Sequence, residues 1–246
     1  MRGVFSGDLV DGIRHGAGVL VFANGDRYEG AFAHGFRDGH GVFTSERGNR
    51  VFEGQWRRSE KHGVGRERWL ASGDRYDGEY ERDVFHGRGV LTRGVSGSTY
   101  DGEFQDGKKH GRGRMEFAVK PRAGGGSGKA DLKSVLAMGI SSSAGGGAGS
   151  VSVYDGSWKD GRMHGEGKYT RADGGFYEGT WLDGLCHGVG KEMVLATGEL
   201  YDGQWLKGQR HGEGAVTRNG KRRRGVWDMG QRVKWTTAEV SVFKKA

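Results

Sequence analysis

Aromatic residues recur along the chain at intervals of 23 or 24 positions, and each is followed by an acidic residue and a glycine. A second aromatic residue comes two positions after that glycine. Side chains two positions apart in a β-strand share a face, so Tyr28, Gly30 and Phe32 lie opposite Glu29 and Ala31. Each segment therefore predicts a strand with an aromatic face and an acidic or polar face. The rings expected to form the core of such an array are Tyr28, Phe52, Trp56, Tyr76, Tyr100, Tyr154, Trp158, Tyr177, Trp181, Tyr201 and Trp205.

A His-Gly-x-Gly segment follows each first aromatic residue after about ten positions. The stretch between the two segments, such as Lys159-Asp160-Gly161-Arg162, has the composition of a tight turn. Two glycines on one face of the returning strand let rings from adjacent strands approach the backbone closely. Each repeat therefore predicts a β-hairpin. The histidines that begin these segments are His62, His86, His110, His164, His187 and His211, and Asp38 takes the histidine's place in one repeat.

Seven repeats are clear, a weaker one opens the chain around Phe5 and His15, and a partial one closes it around Trp227. An isolated hairpin is only marginally stable in water. Successive copies must therefore stack and share their aromatic rows, so that stability becomes a sum of contacts between neighbours. We predict an all-β fold, an elongated single-sheet solenoid of stacked β-hairpin repeats.

The pattern Tyr-x-Gly-x-Trp followed by His-Gly-x-Gly resembles the MORN (membrane occupation and recognition nexus) repeat. The resemblance covers nearly the whole chain and is closest to proteins built only from such repeats. It implies a non-catalytic scaffold or adaptor that binds a partner peptide or helix in a groove. It also implies a place in a cytoskeletal, ciliary or flagellar assembly and a homodimer formed through terminal repeats. The alternative it implies is a peripheral membrane module that binds phosphoinositides and links membrane to cytoskeleton.

The repeat pattern breaks down after Met115, and the step from Tyr100 to Tyr154 is 54 residues. Two Gly/Ser-rich stretches there are typical of flexible linkers. Between them, residues 129–140 have helical spacing of apolar residues, which leaves a short docking helix and a mobile loop as alternatives. The predicted organisation is a first MORN block over residues 1–117, a flexible insert over 118–150, a second block with a partial cap over 151–235, and a C-terminal tail over 236–246.

The composition limits the class of protein further. The chain has 51 glycines, one proline and 34% apolar residues, too few apolar residues for an ordinary thick core. The glycines do not follow the Gly-X-Y period of collagen, and proline is almost absent. Cys186 is the single cysteine, so no internal disulfide is expected. No apolar run approaches the roughly 20 residues that span a bilayer. We therefore expect a cytoplasmic location, at the cytoskeleton or a cilium or flagellum, with any membrane contact peripheral.

Three arrangements that could carry chemistry are interpreted as structural. Equivalent histidines of successive hairpins would lie roughly 10 Å apart, too far to share a metal ion. The stretch from Ala123 to Ala130 lacks the first glycine and the Ser/Thr of a phosphate-binding loop. The regular carboxylates and Cys186 lie at exposed or variable repeat positions without a pocket to perturb their pKa. We therefore expect no catalytic residues, no metal, no cofactor and no enzymatic activity, although a catalytic domain elsewhere in a longer protein would change that.

The net charge of +8 is mixed along most of the chain, and basic residues concentrate in two clusters. A Lys or Arg near an anionic leaflet contributes about 1 kcal/mol, so either cluster is a candidate anion or lipid site. Nucleic acid is not an expected partner, because the rings are needed for stacking between repeats. The candidate residues are Lys108, Lys109, Arg112 and Arg114, near Lys120 and Arg122, and Lys221, Arg222, Arg223 and Arg224.

Overall fold

A computed structural model describes residues 3–46, 49–118 and 151–242. Within these residues every regular element is a β-strand. The chain divides into two compact units, Met1–His110 (unit 1) and Gly111–Ala246 (unit 2). The predicted insert lies almost entirely outside the described residues, as do its proposed helix at 129–140, Lys120 and Arg122.

Unit 1 is an open antiparallel sheet in which consecutive strands pair from β1 to β9. The all-β, stacked-hairpin architecture predicted from the sequence is confirmed here, because each repeat supplies one hairpin. The strands are β1 (Gly3–Val10), β2 (Ile13–Phe22), β3 (Arg27–Ala33), β4 (Phe36–Ser45), β5 (Arg50–Arg57), β6 (Glu60–Trp69), β7 (Asp74–Glu81), β8 (Val84–Thr92), β9 (Thr99–Gln105) and the start of β10 (Lys108–Phe117).

Unit 2 has the same construction, with consecutive antiparallel pairing from β10 to β18. A short last strand, β19 (Val240–Ser241), pairs with β17 beside β18. The other strands are β11 (Ser152–Lys159), β12 (Arg162–Thr170), β13 (Phe176–Leu182), β14 (Leu185–Val194), β15 (Glu199–Leu206), β16 (Gln209–Arg218), β17 (Lys221–Asp228) and β18 (Gln231–Trp235).

Two-residue turns close the hairpins, as the turn composition predicts. Asp160 and Gly161 have φ angles of 49° and 83°, and two positive φ angles define the type I′ turn that matches strand twist. Ser59 and Asp83 occupy the second turn position in two hairpins of unit 1, with φ angles of 72° and 67°. Several turns also contact the preceding repeat, as where the Gly184 N–H donates to the Met163 carbonyl over 2.8 Å.

The aromatic rings form continuous rows within each unit. Tyr177 meets Trp181 of its own hairpin edge-to-face at 5.0 Å and Trp205 of the next hairpin at 5.1 Å. The Trp181 indole N–H donates to the carbonyl of Gly167 in the preceding hairpin over 3.0 Å. Contacts of this kind join neighbouring hairpins within each unit, because a ring shared between two repeats is buried only when both are present.

The last glycine of His-Gly-x-Gly is required by a close approach of a tyrosine ring. A Cβ atom at Gly167 would lie 2.6 Å from the Tyr154 Cζ atom. The opposing glycine, Gly156, meets the Gly167 backbone, since a Cβ there would lie 2.5 Å from the Gly167 Cα. The paired glycines therefore form a flat floor on which the tyrosine ring lies.

The face opposite the rings holds alternating charges. Glu53, Arg66 and Asp77 lie side by side on three adjacent strands, and Arg66 Nε is 2.8 Å from Asp77 Oδ2. In unit 2, Lys168 Nζ is 3.2 Å from Glu178 Oε2. The regular carboxylates of the sequence thus lie opposite cations on an exposed surface, where such cross-strand pairs contribute about 0.2–1 kcal/mol.

Candidate functional site

The predicted core rings lie inside the sheet packing. All eleven, from Tyr28 in unit 1 to Trp205 in unit 2, have at most 6% of their surface exposed. A ligand on the aromatic face therefore meets chiefly the residues that border the rings. The bordering residues vary between repeats, so they determine what each stretch of the face can bind.

The residue directly before each histidine is the most important of these border positions. Its side chain points to the aromatic face: Arg37 lies 4.1 Å from the Trp56 ring centroid, and Phe85 stacks on Tyr76 at 3.8 Å. Cys186 occupies the same position and is fully buried, which raises the pKa of its thiol well above its usual range. The sequence interpretation of this position as simply variable overlooked its uniform orientation toward the rings.

A recess on the aromatic face of unit 1 encloses about 450 Å³ and is called the unit 1 groove. Arg37 crosses it, donates from Nη2 to the Ser59 carbonyl over 2.6 Å and covers Trp56. Burial lowers the pKa of Arg37, and nearby Asp83 opposes that shift. The groove is thus an aromatic floor bordered by both signs of charge. Its lining residues are Phe22, Asn24, Asp26, Arg37, Phe43, Arg50, Trp56, Lys61 and Asp83.

A buried carboxylate anchors the cations at one end of this groove. Glu67 is 2% exposed, pairs with Lys61, and lies 3.2 Å from Arg50 Nε. The Tyr80 hydroxyl donates to its other oxygen over 2.9 Å. Burial lowers the pKa of Lys61, and the carboxylate of Glu67 opposes that effect. This network fixes Lys61 and leaves Arg50 at the mouth, where it is 41% exposed.

Two further recesses lie on the aromatic face of unit 2. One encloses about 380 Å³ around Trp205, with Glu192, Glu199 and Arg210 at its border. The other, called the terminal recess, encloses about 250 Å³ at the ends of β16, β17 and β18. It is lined by Glu199, Arg210, Val216, Arg218, Lys221, Arg223, Trp227, Arg232, Trp235 and Glu239.

The C-terminal basic run is divided between the two faces of β17. Lys221 and Arg223 line the terminal recess on the aromatic face. Arg222 and Arg224 line a different recess, with Thr237, on the opposite face. The structure therefore does not bring these four cations together, because alternate residues of a strand point to opposite sides.

The other basic cluster is divided in the same way. Lys108, Arg112 and Arg114 are exposed, and Arg114 Nη2 lies 3.1 Å from Glu116 Oε1. Lys109 instead lies over the Tyr100 ring, with Nζ 5.0 Å from its centroid. Burial, and then the charge of Arg93, lower the pKa of Lys109 to about 8. Lys109 is thus part of the ring packing.

The histidines stand near the hairpin tips. His211 Nδ1 accepts a hydrogen bond from the Met229 N–H over 3.5 Å, as expected for a turn-fixing role. Nδ1 of His86 and of His164 has no hydrogen-bond partner, so that role does not extend to every repeat. No group of three or more potential metal ligands occurs among the described residues.

Sequence reasoning missed Arg218 and Arg232 as functional candidates, although both line the terminal recess. Arg232 is equivalent to Arg210, the residue before His211, although Val233 follows it, and Arg218 follows His211 by seven positions. Superposing the repeats on these positions would have found them, because both positions border the rings in every complete hairpin that has a recess. An alignment of the repeats with one another identifies these two positions, whereas the composition of the surrounding residues does not.

The sheets of stacked hairpins and their shared ring rows define a β-hairpin repeat protein. The family model of the MORN repeat matches residues 5–27, 28–50, 52–69, 76–95, 100–119, 154–176, 177–193 and 201–217, more than half of the chain. The chain therefore belongs to the MORN repeat family, as the sequence pattern predicted, and the weak first repeat is among the matches. Comparison with curated proteins finds no match.

Membership in this family supports a repeat scaffold or binding protein, since the MORN repeat is a non-enzymatic repeat type. The described residues contain no helix long and apolar enough to cross a membrane. The recesses of the aromatic face are concave and partly apolar, which are general features of ligand-binding surfaces.

Proposed function

We propose that this chain is a non-catalytic scaffold that binds a peptide or helix of a protein partner along the aromatic face. The unit 1 groove is the observation that carries the proposal. It combines the half-buried rings of Phe22 and Phe43, 6.4 Å apart, with Arg37 held over Trp56. Aromatic and arginine anchors in a desolvated recess are the residues that most often dominate binding energy at protein interfaces.

The charge pattern of the groove fits a peptide with both polar and apolar side chains. Arg50 and Lys61 lie at one end beside Glu67, whereas Asp26 and Asp83 also border the recess. Mixed border charges fix the register of a bound segment, and the rings supply the apolar contact area. We further propose that the partner belongs to a cytoskeletal, ciliary or flagellar assembly, as the MORN resemblance implies, in the cytoplasm.

A photo-crosslinking amino acid placed at Phe43 tests the groove in the cell that makes the protein. Val42 is the matched control, because it is the preceding residue on β4 and points to the opposite face. We expect a discrete protein adduct from position 43 and none from position 42. Equal adducts from both positions, or none from either, would contradict groove binding. Imaging the tagged full chain tests the cytoskeletal part, which a diffuse distribution would overturn.

Peripheral binding to phosphoinositide membranes is the alternative function, and the exposed cations Arg222 and Arg224 favour it. It has less support, since Lys221 and Arg223 of the same run face the other side of the sheet. Co-sedimentation of the full chain with vesicles, with and without phosphoinositide and over a salt series, distinguishes the two. The scaffold proposal expects no lipid-dependent pelleting of monodisperse protein, and salt-sensitive pelleting would favour the membrane module.

A further inference from the structure

The terminal recess of unit 2 is a distinct surface from the unit 1 groove, and its charge is unlike that of the recess before it. The preceding recess places Val194, Glu199, Trp205 and Arg210 at its border. Gly203 and Gly225 flank the same residue, Gly214, in the two ladders of β16, which sets the correspondence between the two hairpins. The equivalent residues of the terminal recess are Arg218, Lys221, Trp227 and Arg232.

This correspondence shows that the terminal recess has gained cations at three repeat positions. Arg218 stands at the position of Val194, and Lys221 stands at the position of Glu199. Arg223 stands at the position of Tyr201, the first aromatic residue of the preceding repeat. The tryptophan and the arginine that pairs with it across the hairpin are kept, as Trp227 and Arg232. The result is an aromatic recess with five cations and two carboxylates on its border.

Both carboxylates of the recess already have cationic partners. Glu199 Oε1 lies 2.7 Å from Arg210 Nη1, and Glu239 Oε1 lies 2.8 Å from Lys221 Nζ. Across the described part of the chain, no carboxylate forms an ion pair with Arg218, Arg223 or Arg232. Three arginines therefore retain their charge at the recess without an internal counter-ion.

The Trp235 side chain holds two of these arginines in place. The Arg223 and Arg232 guanidinium carbons lie 4.8 Å and 4.3 Å from the Trp235 ring centroid. Arg223 Nε also donates to the Thr237 carbonyl over 2.9 Å. Cation–π contacts orient a guanidinium group without neutralising it, so the positive charge is available to a ligand.

We propose that the terminal recess binds an acidic peptide segment, whose carboxylates pair with Arg218, Arg223 and Arg232. An arginine fork donates two hydrogen bonds to one carboxylate, and the half-buried Trp235 ring gives the peptide an apolar support. A volume of about 250 Å³ suits one or two side chains. A membrane surface fits poorly, because Arg222 and Arg224 point away from this recess and a plane could not meet all the cations at once.

Fluorescence anisotropy of a labelled glutamate-rich peptide, titrated with the full chain, tests the proposal. The probe variant is Arg218→Gln with Arg232→Gln, and the matched control is Arg222→Gln with Arg224→Gln, which removes the same charge from the opposite face. We expect the probe variant to weaken binding roughly tenfold or more and the control to weaken it by less than about twofold. A glutamine counterpart of the peptide should not bind.

Three results would overturn the proposal. They are equal losses in the two variants, equal binding of the glutamine peptide, and failure of the glutamate peptide to bind while phosphatidylserine-containing vesicles do. If the double variant misfolds, Arg218→Gln alone replaces it in the test. This single change should not disturb the fold, because the Arg218 side chain is exposed and has no ion pair within the described residues. This single change should still weaken peptide binding with an unchanged thermal unfolding midpoint.

Discussion

Glu67 in unit 1 and Glu192 in unit 2 are the same residue at the same place in the repeat, yet they have different partners. Each lies five positions after a histidine and is buried among the rings, with 2% of its surface exposed. The other repeats place apolar residues there: Leu20, Phe43, Leu91, Met115, Tyr169 and Val216. A buried carboxylate at an apolar position must be paired, because an unpaired charge there costs several kcal/mol.

The source of the pairing cation differs between the two units. Glu67 pairs with Lys61, which precedes the histidine of its own repeat. The corresponding residue beside Glu192 is Cys186, which offers no charge. Glu192 instead lies 3.3 Å from Arg171 Nη1 of the preceding repeat and 3.0 Å from Arg210 Nη2 of the following one. The residue directly before the histidine therefore decides whether the ion pairs of the buried carboxylate stay within one hairpin or join three.

Alkaline pH should have the largest effect, and it should act on both units alike. All eight tyrosines are buried, four in each unit, and burial raises the pKa of each, to about 12 for Tyr28 and Tyr201. Their stabilisation is complete below the unfolded pKa of about 10 and is lost as pH rises toward the folded values. Circular dichroism and tyrosinate absorbance should show ionisation coupled to unfolding between about pH 10 and 12. Free ionisation near pH 10 in a folded chain would refute their burial.

Removing one tryptophan from each unit should give the next largest effect. Trp56→Ala and Trp181→Ala should each lower the free energy of unfolding by roughly 3–5 kcal/mol, as for large core residues. Both rings are at most 4% exposed and donate to a glycine carbonyl of the preceding hairpin. Chemical denaturation measures the loss. An unchanged midpoint would mean that the rings form a free binding surface and not a stacking core.

Neutralising either buried carboxylate should also destabilise the fold. Glu67→Gln and Glu192→Gln each leave a buried cation without its counter-charge, and we expect a loss of roughly 3 kcal/mol. Glu53→Gln on the exposed face is the control and should change stability by less than about 0.5 kcal/mol. Equal, small effects from all three variants would show that the two networks contribute no more than surface pairs.

Replacing the buried charged residues by apolar ones should affect the stability of the two units differently. Changing Lys61→Met, Glu67→Leu and Tyr80→Phe together removes every buried member of the unit 1 network. We expect stability within about 1 kcal/mol of the parent, because well-packed apolar groups replace buried ion pairs at little cost.

In unit 2 the matched change, Glu192→Leu with Arg210→Met, leaves Arg171 buried without that partner. A loss of roughly 2 kcal/mol should remain. Urea unfolding of both variants provides the comparison. Parent-like stability in both variants would break the distinction between ion pairs within one hairpin and ion pairs that join three.

The smallest expected effect concerns the hairpin turns. Arg58 and Lys207 are first turn residues with φ angles of 49° and 48°, where asparagine is accommodated better than a long side chain. Arg58→Asn and Lys207→Asn should each stabilise the chain by about 0.5 kcal/mol, detectable as a small rise in the thermal midpoint. Since the gain is local, a rise in only one unit would indicate that the two turns are not equivalent.

Strand, turn and ring positions could be predicted from the sequence because they follow from short-range rules. Residues two apart share a face, which placed Tyr28 and Phe32 in the core and Glu29 outside. The same rule would have divided Lys221–Arg224 between two faces, but treating the run as one cluster hid this. Charge runs on a strand must be separated by parity before they are interpreted as a surface.

The burial of Glu67 and Glu192 could not be predicted in this way. An acidic residue at an inward-facing position suggests that the strand has been assigned to the wrong face, unless its cationic partners are known. For Glu192 these partners lie outside its own strand. The orientation of Cys186 needed the turn length and the bulge at the following glycine, where Gly188 has a φ of 63°. Such features depend on contacts between strands, which composition and spacing do not contain.

Two kinds of hydrogen bond between successive hairpins, those of the tryptophan indoles and those of the turn N–H groups, run in one direction. The Trp181 indole and the Gly184 N–H both donate backward, to carbonyls of the hairpin before them. A growing chain therefore completes each hairpin only when the next one emerges, so folding can follow synthesis one repeat behind. Trimming is asymmetric for the same reason. Among these bonds, a cut that removes early repeats leaves indole and turn N–H donors without acceptors, whereas a cut that removes later repeats leaves carbonyl acceptors without donors.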